Sequence, residues 1–328
     1  MTHERAYEIL GLNSDASRKD ARKAYRDLAK IYHPDKNPAA NATVMFQLIQ
    51  DAWNYIQNTS EKESDHLSDD ADTYNIQGMV KYDSGEYESA IFDFDKVLLL
   101  NPEEAKACIA YKYRGRAKAA LRQYVAAISD FDAVIHLIPN DADTYIFRGN
   151  AKGNLGENPA AIADYDMAIR LNPNDAAAYY YRGVANYMLG QYVAAISDYD
   201  MVIYLVPDDA KAYYRRGHIK LELGQYAAAI SDYDIAIRLK PNDAEAYSSR
   251  GLAKACLSCP FDAISDFDMA IRLNPNDART YYQRATEKGI LGSVWEERQD
   301  LLMALKLAEQ AGDVEFIVTV EQALNEVS

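Results

Sequence analysis

Pro139, Pro173, Pro207, Pro241 and Pro275 fall 34 residues apart, and Gly115, Gly149, Gly183, Gly217 and Gly251 keep the same step. A chain with a period of this length is built from stacked copies of one supersecondary unit, because each copy leaves an apolar face that only its neighbours can cover. One full unit runs from Asn174-Asp175-Ala176 through Leu189-Gly190-Gln191-Tyr192 to Asp198-Tyr199-Asp200 and Val206-Pro207. It reads as cap, helix, turn, helix and stop, so each unit is a helical hairpin.

Glycine in the first helix, Ala-Ala-Ile and then Asp-Tyr/Phe-Asp in the second, and a closing proline resemble the tetratricopeptide repeat over about three-quarters of the chain. The resemblance implies an all-α fold, a right-handed α-solenoid, with about seven units over residues 71–309. The first and last are degenerate: the first is looser in pattern, and the last has Ala285 for glycine and no closing proline. The second carries extra residues, since Pro102 to Pro139 spans 37. Val314, Ile317, Val318, Val320 and Leu324 make residues 310–328 read as a C-terminal capping helix. Arg114, Arg148, Arg182, Arg216, Arg250 and Arg284 recur in register, as do Asp130, Asp164, Asp198, Asp232 and Asp266. Regular recurrence belongs to architecture, and pairing between adjacent hairpins is expected.

Ligand binding is expected where the units differ, on first-helix positions that line the concave surface in this fold. These are Lys112, Arg116, Ile146, Asn150, Tyr180, Val184, Tyr187, Lys211, Tyr214, Arg215, His218 and Leu221. A tyrosine-rich wall with scattered cations suits an extended client or partner peptide. Some tetratricopeptide co-chaperones hold a C-terminal carboxylate with five polar side chains. Here Asn150, Lys211 and Arg215 match, but Ile146 and Tyr181 replace Lys and Asn, so the clamp is incomplete and solvated cations are the expectation.

Ahead of the repeats the chain changes character. Tyr7, Leu10 and Leu12, with Ile9, form a short apolar stripe beginning at Arg5 and stopping at Gly11. Ser17 and Asp20 then make a capping-box-like pair. The following helix carries Ala21, Ala24, Tyr25, Leu28 and Ala29 on one side and Arg18, Lys19, Arg22, Lys23, Arg26 and Lys30 on the others, a basic face suited to an acidic partner. Pro34 ends that helix and leaves His33 and Asp35 displayed on a loop. A second helical segment follows over 43–57.

The strings at 6–12, 21–29, 33–38 (His33-Pro34-Asp35-Lys36-Asn37-Pro38) and 46–53 (Phe46 to Trp53) resemble the J domain of co-chaperones in order and spacing. The resemblance implies a J domain over 1–58, with helices two and three as an antiparallel pair and the His-Pro-Asp loop at its tip. It implies a seventy-kilodalton heat-shock chaperone as partner: His33, Pro34 and Asp35 stimulate its ATP hydrolysis, and Arg22, Lys23, Tyr25 and Arg26 dock it. Phe46 and Trp53 are expected to pack between helices. Trp53 stands where the family has tyrosine, and the fourth-helix pattern fades after Gln57, so that helix is expected to be short or absent. Residues 59–70 read as an acidic, solvated linker. No glycine/phenylalanine-rich stretch and no zinc-binding cysteine repeat follow.

The formal charge of −15 is unevenly shared: residues 1–60 hold eight Lys/Arg against seven Asp/Glu, so the remainder of the chain carries −16. Phosphate binding needs a basic stripe, so nucleic acid is not an expected partner. Cys108, Cys256 and Cys259 form no disulfide framework. Without a second pair, Cys256-x-x-Cys259 reads as two buried small residues at a helix–turn boundary rather than a metal site. No long uncharged apolar stretch appears, so membrane insertion is not expected and a cytoplasmic location is. With no phosphate loop, nucleophile–base set or metal cluster, neither an enzyme nor a cofactor is expected. The function implied is a co-chaperone that activates a partner ATPase and holds a client or partner peptide. The alternative is a targeting adaptor that localises the J domain to one complex.

Overall fold

The computed structural model describes residues 1–14, 16, 18–37, 42–58, 71–100 and 102–327, and among them it is all-α with eighteen helices. The expected Ser17 cap and the acidic linker at 59–70 lie outside the described residues. The chain divides into two compact units, residues 1–171 and 172–328.

In the first unit, α1 (His3–Ile9), α2 (Arg18–Tyr32) and α3 (Ala42–Asn58) precede the hairpins. The first helix begins earlier than its apolar stripe because Thr2 caps it, its hydroxyl accepting the Arg5 backbone N–H at 3.4 Å. Helices α2 and α3 pack together, and α1 lies on α3. Ile9, Leu10, Ala21, Met45, Ile49 and Ile56 form their shared interior. Three hairpins follow: α4 (Ala71–Asp83) with α5 (Tyr87–Leu99), α6 (Glu104–Ala120) with α7 (Tyr124–Leu137), and α8 (Ala142–Asn154) with α9 (Asn158–Leu171). The extra residues of the second hairpin lengthen α6 at its start, giving 17 residues where α8 has 13. The core does not break between α1–α3 and the first hairpin, because Ile76, Met79, Phe94 and Val97 continue the same buried cluster. Two polar contacts join them as well: Tyr32 Oη donates to Asp83 at 2.8 Å, and Arg5 reaches Asp72 at 4.0 Å.

The second unit holds α10 (Ala176–Met188) with α11 (Tyr192–Leu205), α12 (Ala210–Glu222) with α13 (Tyr226–Leu239), α14 (Ala244–Cys256) with α15 (Pro260–Leu273), and α16 (Ala278–Ile290) with α17 (Val294–Ala311). Helix α18 (Val314–Glu326) packs on α17. Asp175, Asp209, Asp243 and Asp277 cap the first helices by accepting backbone N–H groups. Val320 is buried on α18 as expected, but Val314 and Val318 are exposed. Phe316 fills the place instead, edge-on to Tyr282 at 5.6 Å between ring centroids.

Why glycine recurs in the first helix is a matter of distance. A Cβ at Gly149 would come within 2.6 Å of the Tyr165 ring, and one at Gly251 within 2.7 Å of Phe267. The last hairpin carries Ala285 without a clash because the facing buried residue is Leu301, not an aromatic.

The arginine pairing differs from expectation. Asp130, Asp164, Asp198, Asp232, Asp266 and Asp300 receive the arginine of their own hairpin, as Arg216 Nε donates to Asp232 at 3.0 Å. The link to the preceding hairpin runs to the second aspartate of Asp-Tyr/Phe-Asp: Arg114 to Asp95, Arg148 to Asp132, Arg216 to Asp200, Arg250 to Asp234 and Arg284 to Asp268, at 2.5–2.6 Å. Each guanidinium also lies over the tyrosine one turn back, Arg216 over Tyr213 at 5.5 Å. The inner aspartates are buried, and burial is tolerable because a lysine one turn on completes the set, as Lys220 does for Asp232 at 2.7 Å. In the hairpin of Asp198, Asn186 replaces that lysine and donates at 2.8 Å.

The cysteine expectation is also corrected: Cys108 is buried, but Cys256 and Cys259 are exposed. They flank the turn between α14 and α15, and that end of the first helix faces solvent in other hairpins too, at Met188 and Ile290. Among the described residues no group of three or more His, Cys, Asp or Glu is placed to hold a metal ion. Nor is any described helix long and apolar enough to cross a membrane.

Candidate partner-binding surfaces

The loop after α2 is closed by its own backbone. Lys36 and Asn37 donate their N–H groups to the His33 carbonyl at 2.9 Å, and the Asn37 side chain donates to the Ile31 carbonyl at 3.1 Å. Carbonyls that the helix end leaves without intrahelical partners are satisfied in this way. His33 Nδ1 accepts the Asp35 backbone N–H at 3.2 Å, which leaves the proton of a neutral ring on Nε2. The His33 ring stands edge-on to Phe46 at 5.1 Å. The Asp35 carboxylate, 3.6 Å from His33 Nδ1, is 87% exposed. A carboxylate held at a fixed place and left in solvent is available to a cationic partner group.

Beside the loop lies a shallow cavity of about 380 Å³ lined by Tyr25, Arg26, Ala29, Lys30, His33, Asp35 and Lys36. Tyr25 is held by stacking on Trp53, 5.4 Å between centroids, so Trp53 packs between α2 and α3. Arg22, Lys23 and Arg26 are exposed on α2. The structure thus brings Tyr25, Arg26, His33 and Asp35 to one concavity with an apolar floor and a cationic rim. Lys30 and Lys36 complete that rim; Lys30 follows Arg26 by one turn on the same face, a spacing visible in the sequence.

The candidate groove residues divide. On α6 and α8, Lys112 pairs with Asp141 at 2.8 Å, Arg116 lies over the Tyr82, Tyr113 and Phe147 rings at 4.8–5.1 Å, and the Asn150 amide oxygen accepts from Tyr165 Oη at 2.8 Å. These three are engaged by the chain's own groups, and Ile146 is buried. On α10 and α12, Tyr180, Tyr187, Lys211, Tyr214 and Arg215 surround two cavities of about 220 and 200 Å³ that share Arg215 as a wall. The first adds Lys240, from the end of α13 and so outside the first-helix positions that were considered. The second is apolar, with Val184, Met188, Tyr199 and Ile219 beside His218. Tyr187 Oη donates to Glu222 at 2.6 Å, and that bond pushes the Tyr187 phenol up to about 12.

Comparison with known families decides what these parts are. Residues 5–64 match the DnaJ domain, and 71–104, 148–210 and 217–255 match tetratricopeptide repeat families. The chain has an N-terminal DnaJ domain followed by tetratricopeptide repeats. The chain is 37% identical over 86 residues to chaperone protein DnaJ 1 of Aquifex aeolicus, covering 26% of this chain and 24% of that protein. It is 41% identical over 66 residues to DnaJ homolog subfamily B member 14 of Xenopus tropicalis, covering 20% and 18%. The chain thus spans about a quarter or less of the curated relatives it matches. The tetratricopeptide repeats resemble those of YrrB, described as a TPR protein with an unusual peptide-binding site, at TM-score 0.50 and 22% identity over 58% of this chain and 97% of that one. The Cut9–Hcn1 structure of the APC/C aligns at TM-score 0.58 and 17% identity over 98% of this chain and 62% of that one. At these identities the two structures speak for the fold.

Proposed function

We propose that this chain is a co-chaperone whose DnaJ domain stimulates ATP hydrolysis by a seventy-kilodalton heat-shock chaperone, while its repeats hold a client or partner peptide. The observation that carries the proposal is the concavity beside the His33-Pro34-Asp35 loop. Arg22, Lys23, Tyr25 and Arg26 dock the partner, and Asp35 offers a solvent-facing carboxylate to a partner cation. The chain itself performs no hydrolysis; it activates a partner. For the peptide the supported site is the pair of cavities around Arg215, where tyrosines give rigid contact area and Lys211 and Arg215 add charge.

A second reading, a targeting adaptor, is favoured by the buried cluster that α1–α3 share with the first hairpin, since a J domain fixed on its repeats suits delivery to one complex. Single-turnover ATP hydrolysis by the heat-shock chaperone, with the protein and with Asp35→Asn, tests the main proposal. Stimulation by the protein and none by the variant is the expected result; equal rates with both would sink it. Suppression of aggregation of an unfolded client separates the two readings, because only the general co-chaperone shows it.

A further inference from the structure

Cys256, the last residue of α14, and Cys259, the residue before α15, take no part in the core, the arginine–aspartate ladder or the partner-binding surfaces. Other hairpins put Asn154 and Glu157, Met188 and Gln191, or Glu222 and Gln225 at these places, so the repeat does not require sulfur there. Both cysteines are free and exposed, whereas Cys108 is buried, and burial pushes its thiol up. An accessible thiol reacts where a structural, buried one stays inert.

The turn between the two thiols is pinned. The Ser258 and Cys259 N–H groups donate back to the Ala255 and Lys254 carbonyls at 2.9 and 3.1 Å, which closes the end of α14 and draws Cys259 over the last turn, where Cys256 stands. The Cys259 Sγ points the same way, donating to the carbonyl of Leu257, the neighbour of Cys256, at 3.6 Å. Ser258 holds the left-handed place of this turn at φ 58°, a place that Gly190, Gly224 and Gly292 hold elsewhere. Pro260 then fixes the first residue of α15. A serine and a proline leave this segment fewer conformations than the glycine turns have.

We infer that Cys256 and Cys259 form a reversible dithiol–disulfide site whose co-reactant is a low-molecular-weight disulfide. One cysteine thiolate attacks a sulfur of that disulfide, the S–S bond breaks, and the leaving thiolate takes up the proton that the cysteine gave up. The other cysteine then attacks the mixed disulfide at the protein sulfur and expels the second small thiol. In sum the two cysteines lose two hydrogens and are oxidised, and the small disulfide is reduced to two thiols. The site belongs to the α14–α15 turn and depends on neither the DnaJ domain nor the cavities around Arg215.

The full chain is equilibrated in glutathione buffers of graded poise, quenched with acid, unfolded and alkylated, and its mass is read. Alkylation at one cysteine instead of three, with the linkage mapped to residues 256–259 and reversed by reduced glutathione, is expected. Cys256→Ser and Cys259→Ser should each stop at a glutathione adduct, with helical circular dichroism unchanged. The same titration in urea is the reference: because the turn holds the thiols together, the oxidation constant should be about tenfold larger in the folded chain. Three alkylated cysteines at every poise, adducts without closure in the unsubstituted chain, a disulfide between two chains, or an equal constant in urea would each overturn the assignment.

Discussion

Tyr32, the last residue of α2, donates a hydrogen bond from its phenolic O–H to Asp83, the last residue of α4, across 51 positions of sequence at 2.8 Å. The next residue is His33, so the end of the first repeat helix anchors the base of the loop proposed to engage the chaperone. Burial, and then the bond to Asp83, raises the Tyr32 pKa above its ordinary value. Tyr32→Phe removes this bond and leaves the Asp83 carboxylate without that donor. Expected is a loss of about 0.5–1.5 kcal/mol in urea unfolding, with chaperone stimulation falling further than the loss of stability explains.

Arg216 binds Asp232 in its own hairpin and Asp200 in the one before. Arg216→Ala leaves a buried Asp232 with only Lys220, and a cost of about 3–5 kcal/mol is expected from denaturant unfolding. Arg216→Lys recovers part of this but not the fork that reaches two carboxylates at once.

Gly149→Ala drives a methyl into the Tyr165 ring and is expected to cost about 1–3 kcal/mol. The last hairpin shows the remedy, alanine facing leucine. Adding Tyr165→Leu should therefore make the double variant more stable than the sum of the two single losses, as a double-mutant cycle measures.

Tyr187 offers a pH test. Its folded pKa, raised from 10.0 to about 12, means that the folded protein holds this proton more tightly than the unfolded chain. The stabilisation is complete below pH 10 and disappears as pH rises through about 12. The gap in urea midpoint between the protein and Tyr187→Phe should thus be constant from pH 7 to 9 and narrow above 10; a gap that widens instead would contradict the bond to Glu222.

Most of the fold was legible because a period of 34 residues admits few architectures, and the His-Pro-Asp loop was legible because a proline that follows a helical run cannot continue it. Arginine pairing was not. Asp132 lies sixteen residues before Arg148 and Asp164 sixteen after, so spacing alone treats the two partners alike. The exposed cysteines were misread because free cysteine is among the residue types most often buried, whereas the last turn of a first helix faces water, as Met188 and Ile290 also do. Lys112 and Asn150 looked like ligand contacts, but their partners, Asp141 at the cap of α8 and Tyr165 on α9, belong to other elements, and nothing local in sequence announces them. The shared core of α1–α3 and the first hairpin was invisible for the same reason.

The doubled role of each arginine bears on how such a chain changes over evolutionary time. Arg114, Arg148, Arg216, Arg250 and Arg284 each look backward to the second aspartate of the hairpin before, so a duplicate of such a hairpin arrives with both connectors already matched. At the front, where Gln77 stands in place of the arginine, the DnaJ helices close the series with their own apolar cluster. At the back, Asp300 is followed by Leu301 and Leu302, with no second aspartate, and α18 closes it. Growth by gene duplication is thereby directed to the interior, and reach lengthens in whole units while the ends that do the closing stay untouched.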